Sequence, residues 1–523
     1  MHKKKLIIIS VISSLAFMAC DEDFIETVPY TDRVEENFYK TPEHAFEGLV
    51  AVYDKLQTVG YGHFIITSEI VSDNCFGGFG TNDNIEALEW DNFTMNTNKN
   101  LNSALWESNY QGIYRANTLL ENIDKIDWDG NEELKSLYTA ECRFLRAHFH
   151  FELARIFGNI PLVDRVLSAD EASSIPQTPS EELYAFITED FKYAADNIGD
   201  TSYTDMPVSD YGRITKWAAA SYLAKAFLFY TDYYNQTDIP GVVTKAQVVS
   251  YLNDVITNSG HDLLEDYSRL WLAASLDNYA GENNEEIVWS VKYNSSGMGD
   301  WDLNEGNRWQ VMIGLRTQIS PPYANGWGAA LVNPDFYNAF TAGDTRRDAT
   351  IIAFEEQGVE FDDSDQRQYT GYAWKKYMPI TDDDGVHTVE VNGGDFQIDN
   401  YEDYVVIRFA DVLLMAAELN LGTNDGLAQT YFNRVRDRAF GGSAPVIPVS
   451  KDAILNERRL EFGLEGHRYW DLIRHDLSEA KQVLDNATPG FEVNFRTETG
   501  GFLGIPEQQI NLSNETLNQN TGW

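Results

Sequence analysis

Amphipathic helical patterns recur along most of this chain, and they come mainly in pairs. The longest runs from Glu133 to Phe157, where apolar residues fall on one helical stripe that ends before Gly158 and Pro161. Similar patterns cover residues 216–234, 245–258, 409–421, 427–438 and 451–474. Because a helix with one apolar face must bury it against a neighbour, paired helices predict stacked hairpins. The chain is therefore predicted to be mainly α, a tetratricopeptide-like helical-hairpin scaffold with irregular, loop-rich insertions and a few short strands.

Two helix starts carry capping residues. Thr41 precedes Pro42, and proline suits the first position of a helix because its missing N–H has no intrahelical partner there. Thr178 lies three residues before Glu181, and this spacing predicts a capping box at the start of the next helix.

The segment from about residue 270 to residue 400 lacks helical periodicity. Glycine and asparagine are frequent in it, and residues 389–396 alternate around Asn392-Gly393, which predicts an exposed β-hairpin. A second loop-rich region at residues 60–103 contains Trp90. Long loops in compact proteins are usually functional or disordered, and aromatic richness favours function. The tryptophans of the first segment are Trp271, Trp289, Trp301, Trp309, Trp327 and Trp374.

The first 23 residues have the pattern of a bacterial lipoprotein signal. A basic start precedes an apolar run from Leu6 to Ala19, which is shorter than a membrane-spanning helix. Cys20 follows directly and, lipidated, would be the first residue of the mature protein. The alternative is an ordinary signal peptide with Cys20 there by chance. We predict a signal peptide at 1–19, an N-terminal helical region at 20–260 and a C-terminal region at 261–523 that includes the loop-rich segment, the two regions forming one unit.

The charge balance excludes one class of function. The chain has 39 lysines and arginines against 82 acidic residues, a net charge of −43, which repels nucleic acid. Besides Cys20 it contains two cysteines, Cys75 and Cys142. A disulfide framework therefore does not hold the fold; two buried free thiols are expected, with a single bridge as the alternative.

No motif of a familiar catalytic mechanism is present. The sequence contains no Gly-x-Ser-x-Gly elbow, no His-Glu-x-x-His zinc helix, no phosphate loop and no Cys-x-x-Cys pair. Asp362, Asp363 and Asp365 offer oxygen ligands that could take calcium, but they lack the twelve-residue loop and its final glutamate. We interpret them as solvated acidic turns and expect no cofactor.

Residues 456–472 carry acids and arginines three and four positions apart among large apolar residues. On a helix this spacing predicts local ion pairs. A catalytic role is conceivable, but arginines tied to carboxylates against a core are typical of structural fasteners, and we interpret the cluster in that way.

These residues carry a family resemblance. The segment 456–474 resembles the C-terminal signature of the SusD/RagB family of outer-membrane nutrient-binding lipoproteins, and residues 141–147 with 157–163 resemble its N-terminal signature. Residues 212–219, 284–289, 408–418 and the final segment 505–523 are also similar to family segments, in family order. The resemblance covers essentially the whole chain.

The resemblance implies a scaffold with four tetratricopeptide-like hairpins, loops that bind an oligosaccharide, and no catalysis. It also implies a partner, a SusC-like TonB-dependent outer-membrane transporter on which the protein sits as a lid. Asp21-Glu22-Asp23 beside Cys20 resembles an export tag for the outer leaflet. The implied location is the cell outer membrane, lipid-anchored and facing the extracellular side.

The family signatures consist mainly of scaffold residues, so they do not identify the binding residues. Those residues must be predicted from the loop-rich regions themselves. We expect tryptophans and tyrosine from the loop-rich regions to stack on sugar rings across a shallow surface, with Arg316 and other polar side chains bonding to hydroxyls. The remaining predicted contacts are Asp73, Asn74, Asn82, Trp90, Trp301, Trp309, Tyr323 and Trp327.

Two alternatives to transporter-coupled glycan binding stay open. A lipid-anchored glycoside hydrolase would use two acids, and with 82 acidic residues in the chain close pairs are uninformative. A helical scaffold that feeds peptides or proteins to a transporter is the other. The sequence does not identify the sugar, because aromatic platforms recognise ring faces in general.

Overall fold

A computed structural model of the chain describes residues 38–57, 64–98, 100–271, 282–294, 301, 305–391 and 393–523. The predicted signal peptide and Cys20 lie outside the described residues. The described part is mainly helical, as predicted. Its α-helices are α1 (Pro42–Tyr53), α2 (Phe64–Ile70), α3 (Ile85–Asp91), α4 (Asn100–Asn122), α5 (Glu132–Phe157), α6 (Ala169–Ala172), α7 (Ser180–Asn197), α8 (Lys216–Tyr233), α9 (Lys245–Asn258), α10 (Gln310–Ile313), α11 (Pro334–Ala339), α12 (Arg346–Thr350), α13 (Phe354–Gln357), α14 (Thr388–Val391), α15 (Phe409–Asn420), α16 (Asp425–Ala439), α17 (Lys451–Phe462), α18 (Arg468–His475), α19 (Leu477–Leu484) and α20 (Glu507–Leu512).

The long helices form the stacked scaffold that the sequence predicts. Helices α4, α5, α7, α8 and α9 pack each against the next, and α15 packs against both α9 and α16. Helix α5 begins where the Asn131 side chain accepts a hydrogen bond from the N–H of Leu134, and it ends at Gly158, whose φ is 72°. A positive φ costs glycine nothing, so this residue can end the helix.

Helix caps differ from the prediction at two places. Thr41 occupies the N-cap position before Pro42, but its side chain makes no capping hydrogen bond. The capping box predicted at Thr178 is wrong, because α7 begins after Pro179 and the Thr178 hydroxyl accepts from the N–H of Leu162 instead, at 3.1 Å. Capping boxes are formed where no box was predicted, by Ser168 before α6 and by Thr244 before α9.

The strands are short and pair two by two among the described residues. The first pair joins β1 and β5 antiparallel, with Cys75 opposite Val332. The pairs β2–β8 and β6–β7 are antiparallel, and β3–β4 is parallel. The strands are β1 (Cys75–Gly78), β2 (Ile287–Val291), β3 (Leu315–Arg316), β4 (Asn325–Gly326), β5 (Ala329–Val332), β6 (Ile351–Ala353), β7 (Tyr372–Trp374) and β8 (Tyr404–Arg408).

The β-hairpin predicted at residues 389–396 is wrong. Residues 388–391 form the helical turn α14, in which Val389 is buried and Val391 is exposed. The N–H of Gly393 donates to the Glu390 carbonyl at 2.9 Å and that of Gly394 to Val389 at 3.0 Å, which closes the turn. These local bonds use the backbone groups that a strand partner would need.

The main hydrophobic core contains side chains from both halves of the chain, including Leu49, Phe144, Trp217, Phe409 and Ile505. Cys75 in β1 and Cys142 in α5 are separate buried thiols, as expected. No helix of the described residues combines the length and apolarity needed to cross a membrane.

A network of buried ion pairs joins the C-terminal helices to the rest of the scaffold. Arg408 at the end of β8 is 1% exposed and bonds to Glu286, Glu461 and Glu465. Glu461 on α17 also accepts from Arg346 and Arg438. Although burial alone would raise the pKa of Glu461, these three guanidinium groups hold it well below its usual range.

The network confirms the interpretation of residues 456–472 as structural fasteners and corrects its geometry. The sequence pattern predicts one helix with local ion pairs, whereas α17 and α18 are separated by residues 463–467. Most partners are distant in sequence: Arg458 pairs with Asp411, and Glu457 with Arg346. The acids and arginines therefore hold separate elements together rather than stabilising a single helix.

Candidate functional site

Three loops from distant parts of the chain meet at one surface. They are residues 78–84 after β1, residues 314–328 around β3 and β4, and residues 362–368 before β7. The N–H of Phe79 donates to the Gly328 carbonyl at 2.7 Å. The side-chain amide of Gln366 donates to the carbonyls of both Phe79 and Gly328, at 3.0 and 3.1 Å. One buried amide thus connects all three loops.

Arg316 makes the second connection between these loops. Its Nε and Nη2 bond to Asp365 at 3.0 and 2.8 Å, and Nη2 lies 2.9 Å from Asp83. Hydrogen bonds from Arg316 hold the pKa of Asp365 below its ordinary value. A Cβ atom at Gly80 would lie 2.2 Å from Nη2 of Arg316, so any side chain here would displace the guanidinium group. We call Arg316, Asp83, Asp365 and Gln366 the loop junction.

Trp301 and Trp327 form an aromatic pair beside the loop junction. Their rings are nearly parallel, with centroids 6.3 Å apart and an angle of 23°. Trp301 is 39% exposed, whereas Trp327 is half-buried against the core. Trp327 directly precedes Gly328, whose carbonyl accepts from Gln366 of the junction. The N–H of Trp327 donates to the Val311 carbonyl at 3.1 Å, which fixes its backbone. Exposed flat rings next to hydrogen-bonding groups suit a ligand with both apolar faces and hydroxyls.

Buried carboxyl groups contact residues 305–310. Glu402 accepts from the side chain of Gln310 at 2.8 Å, and its carbonyl accepts from Asn307. Lys292 pairs with Asp403. Burial, with the neighbouring carboxylates second, raises the pKa of Glu402 well above its usual range. These groups lie under the surface and connect residues 305–310 to the strand β8.

The structure places two of the predicted tryptophan contacts in the core. Trp90 on α3 is 3% exposed and Trp309 is 2% exposed. Both belong to the main core, where the Trp309 ring packs edge-on against Tyr377 with centroids 4.8 Å apart. Their flat faces are covered by protein and are closed to a ligand. The loop-rich sequence around them indicated exposure, but long-range packing buries them.

The structure also buries the predicted contacts Asp73 and Asn74. Asp73 is buried and pairs with Arg459 at 2.9 Å and Arg468 at 2.7 Å. Asn74 is buried too, donating to Glu69 and accepting from Arg459. Both side chains attach the turn before β1 to α17 and α18, so they belong to the scaffold.

The other predicted contacts lie at the surface but not all together. Asn82 is exposed in the first loop and donates to the Thr81 hydroxyl at 3.2 Å. Arg316 lies in the junction, with its Nε and Nη2 already bonded to acids. Tyr323 lines a separate pocket that contains neither tryptophan of the aromatic pair. The structure thus places Asn82, Arg316 and Trp327 on the meeting loops, with Trp301 stacked on Trp327. Tyr323 belongs to the same loop as Arg316 but lines a different pocket.

The calcium alternative at residues 362–365 is not supported by the geometry. Asp365 pairs with Arg316, and Asp362 accepts from the N–H of Ser364 at 3.0 Å, closing a local turn. In the part of the chain that the structure describes, no group of three or more His, Cys, Asp or Glu side chains could hold a metal ion. Asp362 and Asp363 thus lie in a local acidic turn, whereas Asp365 is committed to the junction.

The sequence does not identify Asp83 or Gln366 as site residues, and it does not indicate that Asp365 pairs with an arginine. Their importance depends on contacts with Arg316, Phe79 and Gly328, which are remote in the chain. No local spacing signals such contacts. The available signal is the glycine-rich segment 77–80, in which the backbone of other segments comes too close to Gly77 and Gly78 for a Cβ atom.

A buried acid beneath this surface predicts a pH dependence of stability. Asp91 on α3 accepts from the N–H of Gly77 and from Gln368, and burial raises its pKa to about 7. In the unfolded chain an aspartate ionises near pH ~3.9. As the pH rises towards 7 the unfolded state loses a proton that the folded state keeps, so stability falls, by up to about 1.4 kcal/mol per pH unit.

Asp91→Asn mimics the protonated acid and is expected to remove this loss. Urea unfolding of both proteins at about pH 5 and about pH 7 measures it. Asp170→Asn, an exposed substitution on α6, is the control and should leave the pH dependence of wild type unchanged. An equal loss of stability in wild type and Asp91→Asn would contradict the prediction.

Two family models match this chain. One, described as "SusD family", matches residues 360–523, and the other, described as "Starch-binding associating with outer membrane", matches residues 23–228. A SusD-like protein of Bacteroides ovatus is 28% identical over 491 residues, covering 90% of this chain and 82% of the relative. The starch-binding protein SusD of Bacteroides thetaiotaomicron is 27% identical over 431 residues, covering 73% of this chain and 72% of the relative.

Solved structures show the same fold over nearly the whole chain. A laminarin-binding SusD-like protein has a TM-score of 0.78 and 29% identity, with 93% of this chain and 100% of that one covered. The surface glycan-binding protein A from Bacteroides uniformis has a TM-score of 0.74 and 28% identity, with 92% and 99% covered. The resemblance and the helical scaffold expected from the sequence are both confirmed.

Proposed function

We propose that this chain, which belongs to the SusD family, captures a glycan at the cell surface and delivers it to an outer-membrane transporter. The two family models together match well over half of its length. The family comprises glycan-binding proteins that associate with the outer membrane. The binding site on this chain, the transporter partner, the lipid anchor and the outward orientation are our inferences.

The exposed, stacked pair Trp301 and Trp327 is the observation that supports a glycan site on this chain. An indole face matches the apolar C–H face of a sugar ring, and such contacts are favourable only where a ring is open to solvent. Among the tryptophans predicted as contacts, this pair retains exposure, whereas Trp90 and Trp309 do not. The aromatic pair is therefore the proposed platform.

Polar groups beside the platform would read the hydroxyls. The amide of Asn82 is exposed, and the two acids of the junction are each about half exposed, at 41% for Asp83 and 48% for Asp365. Asp83 and Asp365 hold the Arg316 guanidinium in one orientation through Nε and Nη2, so Nη1 is the atom proposed to donate to a ligand. Preorganised donors of this kind lose little conformational entropy on binding.

Charge favours a neutral ligand. The chain carries a net charge of −43, and the junction adds two carboxylates against one guanidinium. An anionic polysaccharide would meet repulsion at long and short range. The named relatives bind laminarin and starch, which are both neutral glucans, and we propose a neutral glycan for this chain as well.

Affinity electrophoresis against laminarin, starch, xylan and mannan tests the proposal. We expect retardation by at least one neutral polysaccharide and by no sulfated or uronate-rich one. Incubation with labelled oligosaccharides separates binding from hydrolysis, because a binding protein gives stoichiometric capture without new reducing ends. Turnover would favour the hydrolase alternative, and the lack of retardation by any polysaccharide would contradict the proposal.

The anchor gives a prediction of its own. Cys20→Ala is expected to leave glycan binding by the purified protein unchanged, since Cys20 is remote in sequence from the proposed binding residues, while membrane attachment and glycan uptake are lost. Membrane fractionation and growth on the glycan measure the two effects. Cys142→Ala, which removes a buried thiol of α5, is the control that keeps the anchor. Normal uptake by Cys20→Ala would exclude the anchor from the mechanism.

A further inference from the structure

We propose that the pocket beneath Tyr323 is a second carbohydrate site, which takes a single neutral sugar ring at the end or branch of a glycan held on Trp301 and Trp327. This inference rests on the proposed function and adds a subsite to it. It follows from the shape and lining of the pocket, from the way its walls are fixed, and from its nearness to the aromatic pair.

The pocket has an apolar floor and a polar rim. Its volume is about 510 Å³, within the range of about 300–1,000 Å³ that small-molecule sites usually have. Tyr323 forms a half-buried wall, and the rim includes the exposed side chains of Asp266 and Asp348. The floor consists of four buried side chains, Trp271, Ala349, Met378 and Ile380. A sugar ring has the complementary arrangement, with C–H groups on its faces and hydroxyls at its edge.

Rim groups remain able to bond a ligand. Asp266 accepts from the Ser268 N–H and hydroxyl through Oδ1, so these local bonds do not use Oδ2. Lys375 donates from Nζ to the carbonyl of Asp348 at 2.6 Å, and an ammonium group has two further N–H bonds. Two carboxylates against one ammonium group give the rim a negative charge, which favours a neutral ring over a uronate or a sulfated sugar.

The walls of the pocket are fixed by backbone hydrogen bonds. The N–H of Ala324 donates to Pro379 and that of Thr381 donates to Pro322, each at 2.9 Å. The N–H of Lys375 donates to Thr350 at the end of α12, also at 2.9 Å. Below the floor, Lys376 covers the Trp271 ring with Nζ 4.8 Å from its centroid. The pocket is therefore preformed, and a ligand would not have to order it.

The pocket lies close enough to the aromatic pair for one oligosaccharide to occupy both. Tyr323 and Trp327 are four positions apart, and an extended chain spans at most about 3.6 Å per residue, so their Cα atoms lie within about 14 Å. A few linked sugar rings cover that span. Tyr323 can therefore contact the same oligosaccharide that Trp301 and Trp327 bind.

Binding of laminaribiose and laminarihexaose tests the proposal. In wild type the longer sugar should bind at least about tenfold tighter, a difference of ~1.4 kcal/mol, because only the longer sugar reaches both sites. Tyr323→Ala removes the wall, and Ala349→Phe fills the floor. Each variant should bind laminaribiose as wild type does and lose the gain with length. Tyr114→Ala, at an exposed tyrosine on α4, is the control and should keep the gain.

The outcomes separate the two proposals. A length-dependent gain that survives in both pocket variants, or no gain in wild type, overturns the pocket and leaves the aromatic pair intact. Failure of wild type to bind any neutral polysaccharide of the electrophoresis panel contradicts the proposed function itself. Crystals soaked in glucose provide a test independent of the tryptophans: we expect a ring in the pocket. An empty pocket at saturating glucose overturns the inference even when the aromatic pair holds an oligosaccharide.

Discussion

Replacing Trp301 and Trp327 together by alanine should weaken glycan binding by about two orders of magnitude. Stacking of a nucleobase on an aromatic side chain contributes about 1–3 kcal/mol per ring, which we take as the scale for a sugar face, and each 1.4 kcal/mol changes affinity about tenfold. Trp301 is the more exposed of the two rings. Of the two single substitutions, Trp301→Ala is therefore expected to lose more binding affinity for a given loss of folding stability. Isothermal titration with the polysaccharide that gives the strongest retardation measures the change.

Two controls make this result specific. Tyr114→Ala removes a more exposed aromatic ring, on α4, and should leave affinity unchanged. Thermal unfolding of each variant tests the scaffold, because Trp327 also packs against the core and its removal costs some stability. Wild-type affinity in a folded Trp301→Ala, Trp327→Ala double variant would place the binding surface elsewhere.

The largest effect on stability is expected from Arg408→Met. The Arg408 guanidinium lies 2.6 Å from carboxylate oxygens of Glu286 and Glu461 and 2.9 Å from Glu465. Methionine fills much of the same volume but leaves these buried carboxylates with fewer counter-charges. Breaking a buried ion pair in this way costs about 3–5 kcal/mol, which is a large share of the total stability of a protein. Urea unfolding at neutral pH measures the loss.

Arg165→Met is the matched control for this substitution. Arg165 pairs with Glu171 at 2.8 Å, a distance like those in the network, but both side chains are about half exposed, at 52% and 48%. Exposed pairs contribute about 0–1 kcal/mol because water screens them and the side chains lose entropy. Similar losses in the two variants would show that burial of the network contributes nothing.

The helical scaffold could be predicted from sequence because its signals are local. The stripe from Glu133 to Phe157 needs only its own periodicity to be recognised, and the structure places α5 there. The pattern at residues 451–474 shows the limit of that reasoning. It has the spacing of one helix, but helix α17 ends at Gly463, before α18 begins. The buried charges of α17 pair with remote residues such as Asp411 and Arg346.

The binding surface could be predicted only in part, because exposure is not a local property. Trp301 and Trp309 lie eight positions apart in the same loop-rich segment, yet one is at the surface and the other is in the core. Which of them is buried depends on Tyr377 and Tyr404, whose rings pack on Trp309. The partners of Arg316 are similarly remote, so no spacing in the sequence indicates that its charge is already engaged.

The single amide of Gln366 has a consequence for how the recognition surface can be altered. Because it bonds the backbone of two other loops at once, the length and course of each loop constrain the other two. A chimera that receives one loop from a homologue would misplace the remaining two. Transfer of all three loops together with Gln366 should keep the surface intact. We therefore expect these segments to coevolve as one cassette, and a change of sugar preference to require their joint exchange.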